Sequence, residues 1–199
     1  AEQAYRKAIA ISPDMADAYN ALGLLYASSG KSSEAEKQYR EALTKNPNLL
    51  AARHNLGLLL FHRKGRQDEA FDLWRENISK DANYLPSRLI LAEELASTGK
   101  PVDAMAQYRK VIDLKPDYGA ARIELARLLA ANGKPDEAMD QLKEALRLKP
   151  GNVSIHEQMG DTYAAAGRSD QAQAAYSEAL KSAVEAGQRK RLQRKLGRS

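Results

Sequence analysis

The chain has 199 residues, 43% hydrophobic and 29% charged, with no cysteine. Disulfides and thiolate metal sites are therefore excluded, no apolar run approaches the roughly 18 residues of a membrane-spanning helix, and hydrophobic content weighted towards Ala and Leu favours helices. The net charge of +5 belongs to one end: residues 189–199 hold six Lys or Arg and no acid, and the rest of the chain has 25 basic against 26 acidic residues.

A nearly neutral body has no field with which to steer a polyanion, so neither nucleic acid nor a membrane is expected as a partner. In chain order, residues 1–13, "AEQAYRKAIAISP", read as one helix ending at Pro13. From residue 14 the chain repeats itself. Leu22, Leu56, Leu91, Leu125 and Met159 form one column, followed by Gly23, Gly57, Ala92, Ala126 and Gly160. Large apolar residues follow at Tyr26, Leu60, Leu95, Leu129 and Tyr163, then Gly30, Gly65, Gly99, Gly133 and Gly167. Ala35, Ala70, Ala104, Ala138 and Ala172 open the second half, and Tyr39, Trp74, Tyr108, Leu142 and Tyr176 fill the column after it. Pro47, Pro116 and Pro150 close their units, with Ala82 and Val184 as departures. The period is 34, with one step of 35 from an extra residue between Leu60 and Gly65.

Within each unit apolar residues return twice at helical spacing, split by a Gly suited to the left-handed cap that ends the first helix. Second helices open on Pro101 with Asp103, or Pro135 with Asp136 and Glu137, as first turns favour. The small residues at Gly23 and Ala35 let two antiparallel helices approach closely. One hairpin cannot bury its apolar faces alone, whereas stacked units do.

These columns resemble the tetratricopeptide repeat family. The resemblance implies an all-α, right-handed superhelical solenoid of five helix hairpins, residues 14–47, 48–82, 83–116, 117–150 and 151–184, forming one domain with 1–13. Ala1, Tyr5, Ala8 and Pro13 fit the second half of a further unit. The chain is thus read as opening in mid-repeat and as part of a larger protein, in a compartment left open: cytoplasmic by default, with periplasmic or secreted also allowed. Residues 185–199 read as a basic tail or a capping helix, with Leu192 and Leu196 one helical turn apart.

The resemblance further implies a scaffold, not an enzyme, holding a protein or peptide partner in a concave groove lined by first-helix residues outside the packing columns. Those are Asn20 and Leu24; His54, Asn55, Leu58, Phe61 and His62; Leu89, Ile90 and Glu93; Ile123, Glu124 and Arg127; and Gln158. Leu58, Phe61, Leu89, Ile90 and Ile123 would form an apolar patch of the kind that marks binding sites. Glu93, Glu124, Glu157 and Asp161, against Arg127, would make the C-terminal half acidic and suited to a basic segment. The family's two-carboxylate clamp is not expected, because Asn20, His54, Pro86 and Ile90 stand where its Lys and Arg would be. Asn55 alone keeps its column's asparagine, so a long asparagine ladder is not expected either.

No catalytic, cofactor or metal site is expected. His54 and His62 lie more than two helical turns apart with no third ligand at metal spacing, and His156 stands in a partly packed aromatic column. That column reads Tyr19, Arg53, Arg88, Arg122 and His156; its arginines are read as aliphatic stems covering apolar surface, with heads reaching water or an acid. Pentatricopeptide RNA binders are a weaker fit, given the 34-residue period and neutral body. Two alternatives stay open: self-association through the Tyr5/Ile9 side of the half repeat, and a regulatory domain of a larger enzyme or a transport or assembly protein. The turn "FHRKG" departs from the repeat, and a partner-specific contact is expected there.

Overall fold

The computed structural model describes residues 1–197, so Arg198 and Ser199 of the basic tail lie outside the described residues. Twelve α-helices and no strand occupy the described residues. In order they are α1 (Glu2–Ile11), α2 (Ala16–Ser28), α3 (Ser32–Lys45), α4 (Leu50–Phe61), α5 (Gln67–Lys80), α6 (Leu85–Ser97), α7 (Pro101–Leu114), α8 (Gly119–Ala131), α9 (Pro135–Leu148), α10 (Val153–Ala165), α11 (Ser169–Ser182) and α12 (Ala186–Leu196). Packing divides the chain into two compact units, one ending at Leu91 and the other beginning at Ala92, inside α6.

In the first unit, α2 packs on α3 and α4 on α5, with α1 laid against α2. What sets these hairpins is a glycine facing an aromatic ring. A Cβ on Gly23 would stand 2.6 Å from Tyr39 Cε1, and one on Gly57 would stand 2.4 Å from Trp74 Nε1. Those distances leave no room for a methyl group, so the ring occupies the space a side chain would have filled. Tyr39 is 1% exposed and Trp74 fully buried. The indole N–H, which must find a partner when buried, donates to the carbonyl of His54 at 3.2 Å.

The turn glycines behave as their column predicts. Gly30 has φ 73°, and Lys31 N donates back to Tyr26 O at 2.9 Å, closing the end of α2. The longer turn after α4 is held otherwise: Arg63 N donates to Leu60 O at 2.9 Å and Arg66 N to Arg63 O at 3.1 Å, with Gly65 at φ 77°. Its side chains tie it down as well. Arg63 and Arg66 both grip Glu36 of α3, and Arg66 and Arg40 share Glu69 at 2.6 and 2.8 Å. Despite its partial burial, Glu36 is held below the ordinary carboxylate value by Arg40 and Arg66.

In the second unit α8 packs on α9 and α10 on α11, with Gly160 as close to Tyr176 (2.4 Å from a Cβ to Cε1) as Gly57 is to the indole. Pro101 and Pro135 stand in the first turns of their helices, as expected. The basic segment continues the pattern: α12 packs on α11, and Leu192 is fully buried among Ala172, Tyr176, Ala179 and Ala183, with Leu196 beside them. Arg189, Leu192 and Leu196 have the mutual spacing of Arg53, Leu56 and Leu60, so α12 is built like the first helix of another hairpin. It covers the apolar side of α11 that a solenoid must not leave bare.

Gly57→Ala is expected to destabilise the protein by about 1–3 kcal/mol, the usual cost of forcing a methyl into a filled core. Trp74→Leu added to it should recover part of that loss. Denaturant unfolding of the two variants checks this, and a neutral Gly57→Ala would contradict the close approach.

Candidate functional site

The arginine column is the first place where side-chain geometry departs from expectation. Its heads do not simply reach water or an acid. Arg53 donates to the carbonyl of Pro47, Arg88 to that of Ala82 at 2.8 Å, and Arg122 to that of Pro116 at 3.0 Å. Tyr19 does the same with its hydroxyl to Pro13 O at 3.2 Å, and Arg189 of α12 to Ala183 O at 2.9 Å. In each case the acceptor lies six residues back, in the bend between one hairpin and the next helix. A bend carbonyl without an intrahelical partner is thereby satisfied. His156 breaks the series; there Asn152 caps α10 by accepting from Ile155 N at 3.2 Å.

Arg53 does more than close a bend. It is 4% exposed and also donates to Asn77 Oδ1 at 3.1 Å, with Glu76 at 3.0 Å. Asn77 is fully buried in a column that elsewhere reads Ala42, Val111, Ala145 and Ala179. Its amide donates to Leu50 O at 2.8 Å and to Ser87 Oγ at 2.9 Å. Ser87, itself buried, meets His54 Nδ1 at 3.2 Å. Every polar group of Asn77 is used, the condition under which a buried polar network specifies a packing.

The predicted site residues separate into groups. In the first unit Asn55 donates to Asn20 Oδ1 at 3.0 Å, joining α4 to α2, so the column's asparagine is engaged within the protein. Leu24 is exposed, while Leu58, Leu89 and Ile90 are half-buried. Phe61 is drawn into an aromatic cluster, its ring centroid 5.8 Å from both Phe71 and Trp74. His62, edge-on to Phe61 at 5.6 Å, is exposed at the end of α4. The basic turn beside it spends Arg63 and Arg66 on Glu36, which leaves His62 and Lys64 as its outward-facing members.

In the second unit Glu93, Ile123, Glu124 and Arg127 line one cleft of about 630 Å³, with Tyr108 at its wall. Arg127 and Gln158 line a second, of about 350 Å³, together with Glu157 and Asp161. Gln158 donates to Ile123 O at 3.1 Å. The expectation of open acids here is corrected at one end. Glu157, 9% exposed, is gripped by Arg191 through two bonds of 2.7 Å, and Lys195 reaches both oxygens of Asp161 at 2.6 and 2.7 Å. The hydrogen bonds from Arg191, aided by Lys195, hold the Glu157 carboxyl below its ordinary value against the opposing effect of burial. The chain's own basic helix thus neutralises the last acidic pair, leaving Glu93 and Glu124 as the acids of the first cleft. Residues 185–199 give no sign of this from composition alone. The signal lies in spacing: Arg191 and Glu157 are 34 residues apart, as are Lys195 and Asp161.

Tandem helix hairpins with a recurring close contact and a recurring junction bond define a helical repeat protein, in which no helix among the described residues is long and apolar enough to cross a membrane, and the chain belongs to the tetratricopeptide repeat family. The model of a tetratricopeptide repeat-like domain matches residues 63–198, and models of the single repeat match residues 1–30 and 16–49. Among solved structures it is similar to YrrB, described as a TPR protein with an unusual peptide-binding site (21% identity, TM-score 0.79, covering 98% of this chain and 100% of that one). It is also similar to MamA (20% identity, TM-score 0.75, covering 84% and 91%). At these identities the likeness concerns the fold. A 73-residue stretch is 34% identical to the photosystem I assembly protein Ycf3 of Acaryochloris marina, 35% of this chain and less than half, 43%, of that protein.

Two outcomes are expected. Burial holds the His54 imidazole below its ordinary value of 6.5. Its contribution is complete above pH 6.5 and declines as pH falls from there towards the folded value, because the unfolded chain takes the proton first. Denaturation midpoints between pH 7.5 and 5.5 should therefore fall more steeply for the parent than for His54→Gln. Glu157→Gln should speed amide hydrogen exchange in α12 while leaving α8 and α9 unchanged; uniform exchange rates would contradict the clasp.

Proposed function

We propose that this chain is a non-catalytic protein-interaction scaffold, which receives a peptide or partner segment along the outward sides of its first helices, α4 and α6 in particular. The observation that carries this reading is the state of Leu58, Leu89 and Ile90. They stay only partly buried on helices where Leu56, Leu60 and Leu91 are buried to within 2%. Apolar surface that the fold leaves uncovered beside polar groups such as Asn20, Asn55 and His54 suits an occupant better than water. Family membership supports a scaffold, as does the peptide-binding site ascribed to YrrB. The assembly role in the name of Ycf3 points the same way, through the stretch that matches.

A second reading, self-association, has its own observation. Ile11 is 73% exposed at the end of α1, and Arg6, Ile9, Tyr19 and Tyr26 border a hollow of about 260 Å³ beside it. Light scattering across a concentration series decides this, with Ile9→Glu/Ile11→Glu expected to remain monomeric throughout.

For the scaffold, Leu58→Glu/Ile90→Glu should abolish recovery of partner protein from a lysate of the source organism while circular dichroism stays unchanged. Undiminished recovery by the folded variant would refute the proposed surface.

A further inference from the structure

We propose that the cleft walled by α6, α7 and α8 in the second unit binds one cationic side chain, Lys or Arg, of a basic polypeptide segment; this rests on the scaffold reading and names the chemistry of its partner. The protein displays the binding mode once already. In α10 and α11, Asp161 accepts a bond of 2.7 Å from the Tyr176 hydroxyl. Lys195 completes the group, its ammonium 2.6 Å from Asp161 and 5.6 Å from the centroid of the Tyr176 ring. Carboxylate, phenol and ring together hold one cation.

Glu93 and Tyr108 repeat the first two members of that group. Glu93 stands in the column of Asp161 and Tyr108 in that of Tyr176, fifteen residues on in both cases. Tyr108 is 2% exposed, lines the cleft, and its hydroxyl has no hydrogen-bond partner among the described residues. Glu93, at the mouth of the same cleft, has neither hydrogen bond nor ion pair among them. The third member differs. Arg127 occupies the position that Lys195 holds two repeats later, each 34 residues after its acid, but its guanidinium bonds Glu124 at 2.9 Å. An exposed pair of that kind is of small net worth, and it leaves Glu93 uncompensated.

The electrostatics agree with the geometry. Burial, with Glu94 and Glu124 nearby, pushes the Glu93 carboxyl above its ordinary value, and burial together with Glu124 and Glu93 raises the Tyr108 phenol. A cation placed between them relieves both. An organic cation suits the site better than a metal ion: a metal needs several converging carboxylates, and no such group exists among the described residues. Half-buried Ile123 beside Glu124 offers an apolar floor for the stem of a Lys or Arg.

The test uses the full chain and a fluorescein-labelled peptide with the α12 sequence AGQRKRLQRKLG, read by anisotropy at physiological salt, with a control peptide carrying Gln at every Lys and Arg. The basic peptide should bind and the control should not. Glu93→Gln and Tyr108→Phe should each weaken binding, the former about tenfold, the size of one charge-assisted hydrogen bond. Asp140→Asn, which removes a charge elsewhere in the same unit, should change nothing. No binding, equal binding by Glu93→Gln, or equal loss in Asp140→Asn overturns the proposal. So does a loss confined to Glu157→Gln, which would mean that the peptide displaces α12. If the peptide fails while partner recovery still depends on Leu58 and Ile90, the cleft assignment falls and the scaffold reading stands. The converse result separates them the other way.

Discussion

Where one helix presents glycine and its partner presents an aromatic ring, the two backbones come closer than any pair of side chains would allow. Gly23 with Tyr39, Gly57 with Trp74 and Gly160 with Tyr176 make that contact here. Much of each hairpin follows from it. The ring reaches the backbone of the first helix, and for Trp74 the carbonyl it meets is also the acceptor its N–H requires. Because these contacts fix which side of the first helix faces inward, they also fix which residues face away. Leu24, Leu58 and Asp161 follow directly after these glycines and point outward for that reason; Glu93 and Arg127 hold the same place after the buried Ala92 and Ala126.

Successive hairpins are joined by a second device. A long donor side chain reaches back six residues to a bend carbonyl, first as tyrosine, then as three arginines, and again as Arg189 in α12. The aliphatic stem packs while the guanidinium satisfies a main-chain oxygen, so a charged residue becomes a structural one, and Arg53 is also paired with an acid, Glu76. The same logic makes the basic end of the chain part of the fold. Arg191 and Lys195 close on Glu157 and Asp161 while Leu192 fills the apolar hollow of α11. A net charge that suggests an external polyanion is therefore spent in part on the protein's own carboxylates.

Legibility in the sequence followed the repeat. Columns in which the copies agree could be read directly, because each carries the same packing demand: the five glycine turns stand where the pattern puts them, the buried large column holds an aromatic in four copies and Leu142 in the fifth, and the prolines of α7 and α9 open those two helices. Residues outside the columns were legible as positions but not as partners. Asn55 and Asn20 bond each other, Gln158 bonds a carbonyl, and Phe61 turns into a cluster with Phe71 and Trp74. The network that joins Asn77 and Ser87 to Arg53 and His54 was not legible, because it depends on side chains meeting across three helices.

By itself the sequence determined the repeat, its helical hairpins and the face each helix turns inward, since the same small and large columns return with a 34-residue period and carry the same packing demand in each copy. Tertiary structure alone decided which polar side chains remain available. Arg191 lies 34 residues from Glu157 and Lys195 the same distance from Asp161, whereas Glu93 is left with Tyr108 because Arg127 turns to Glu124. Composition treats these acids and bases alike. Their pairing depends on rotamers and distances across adjacent helices, which no count of charges contains.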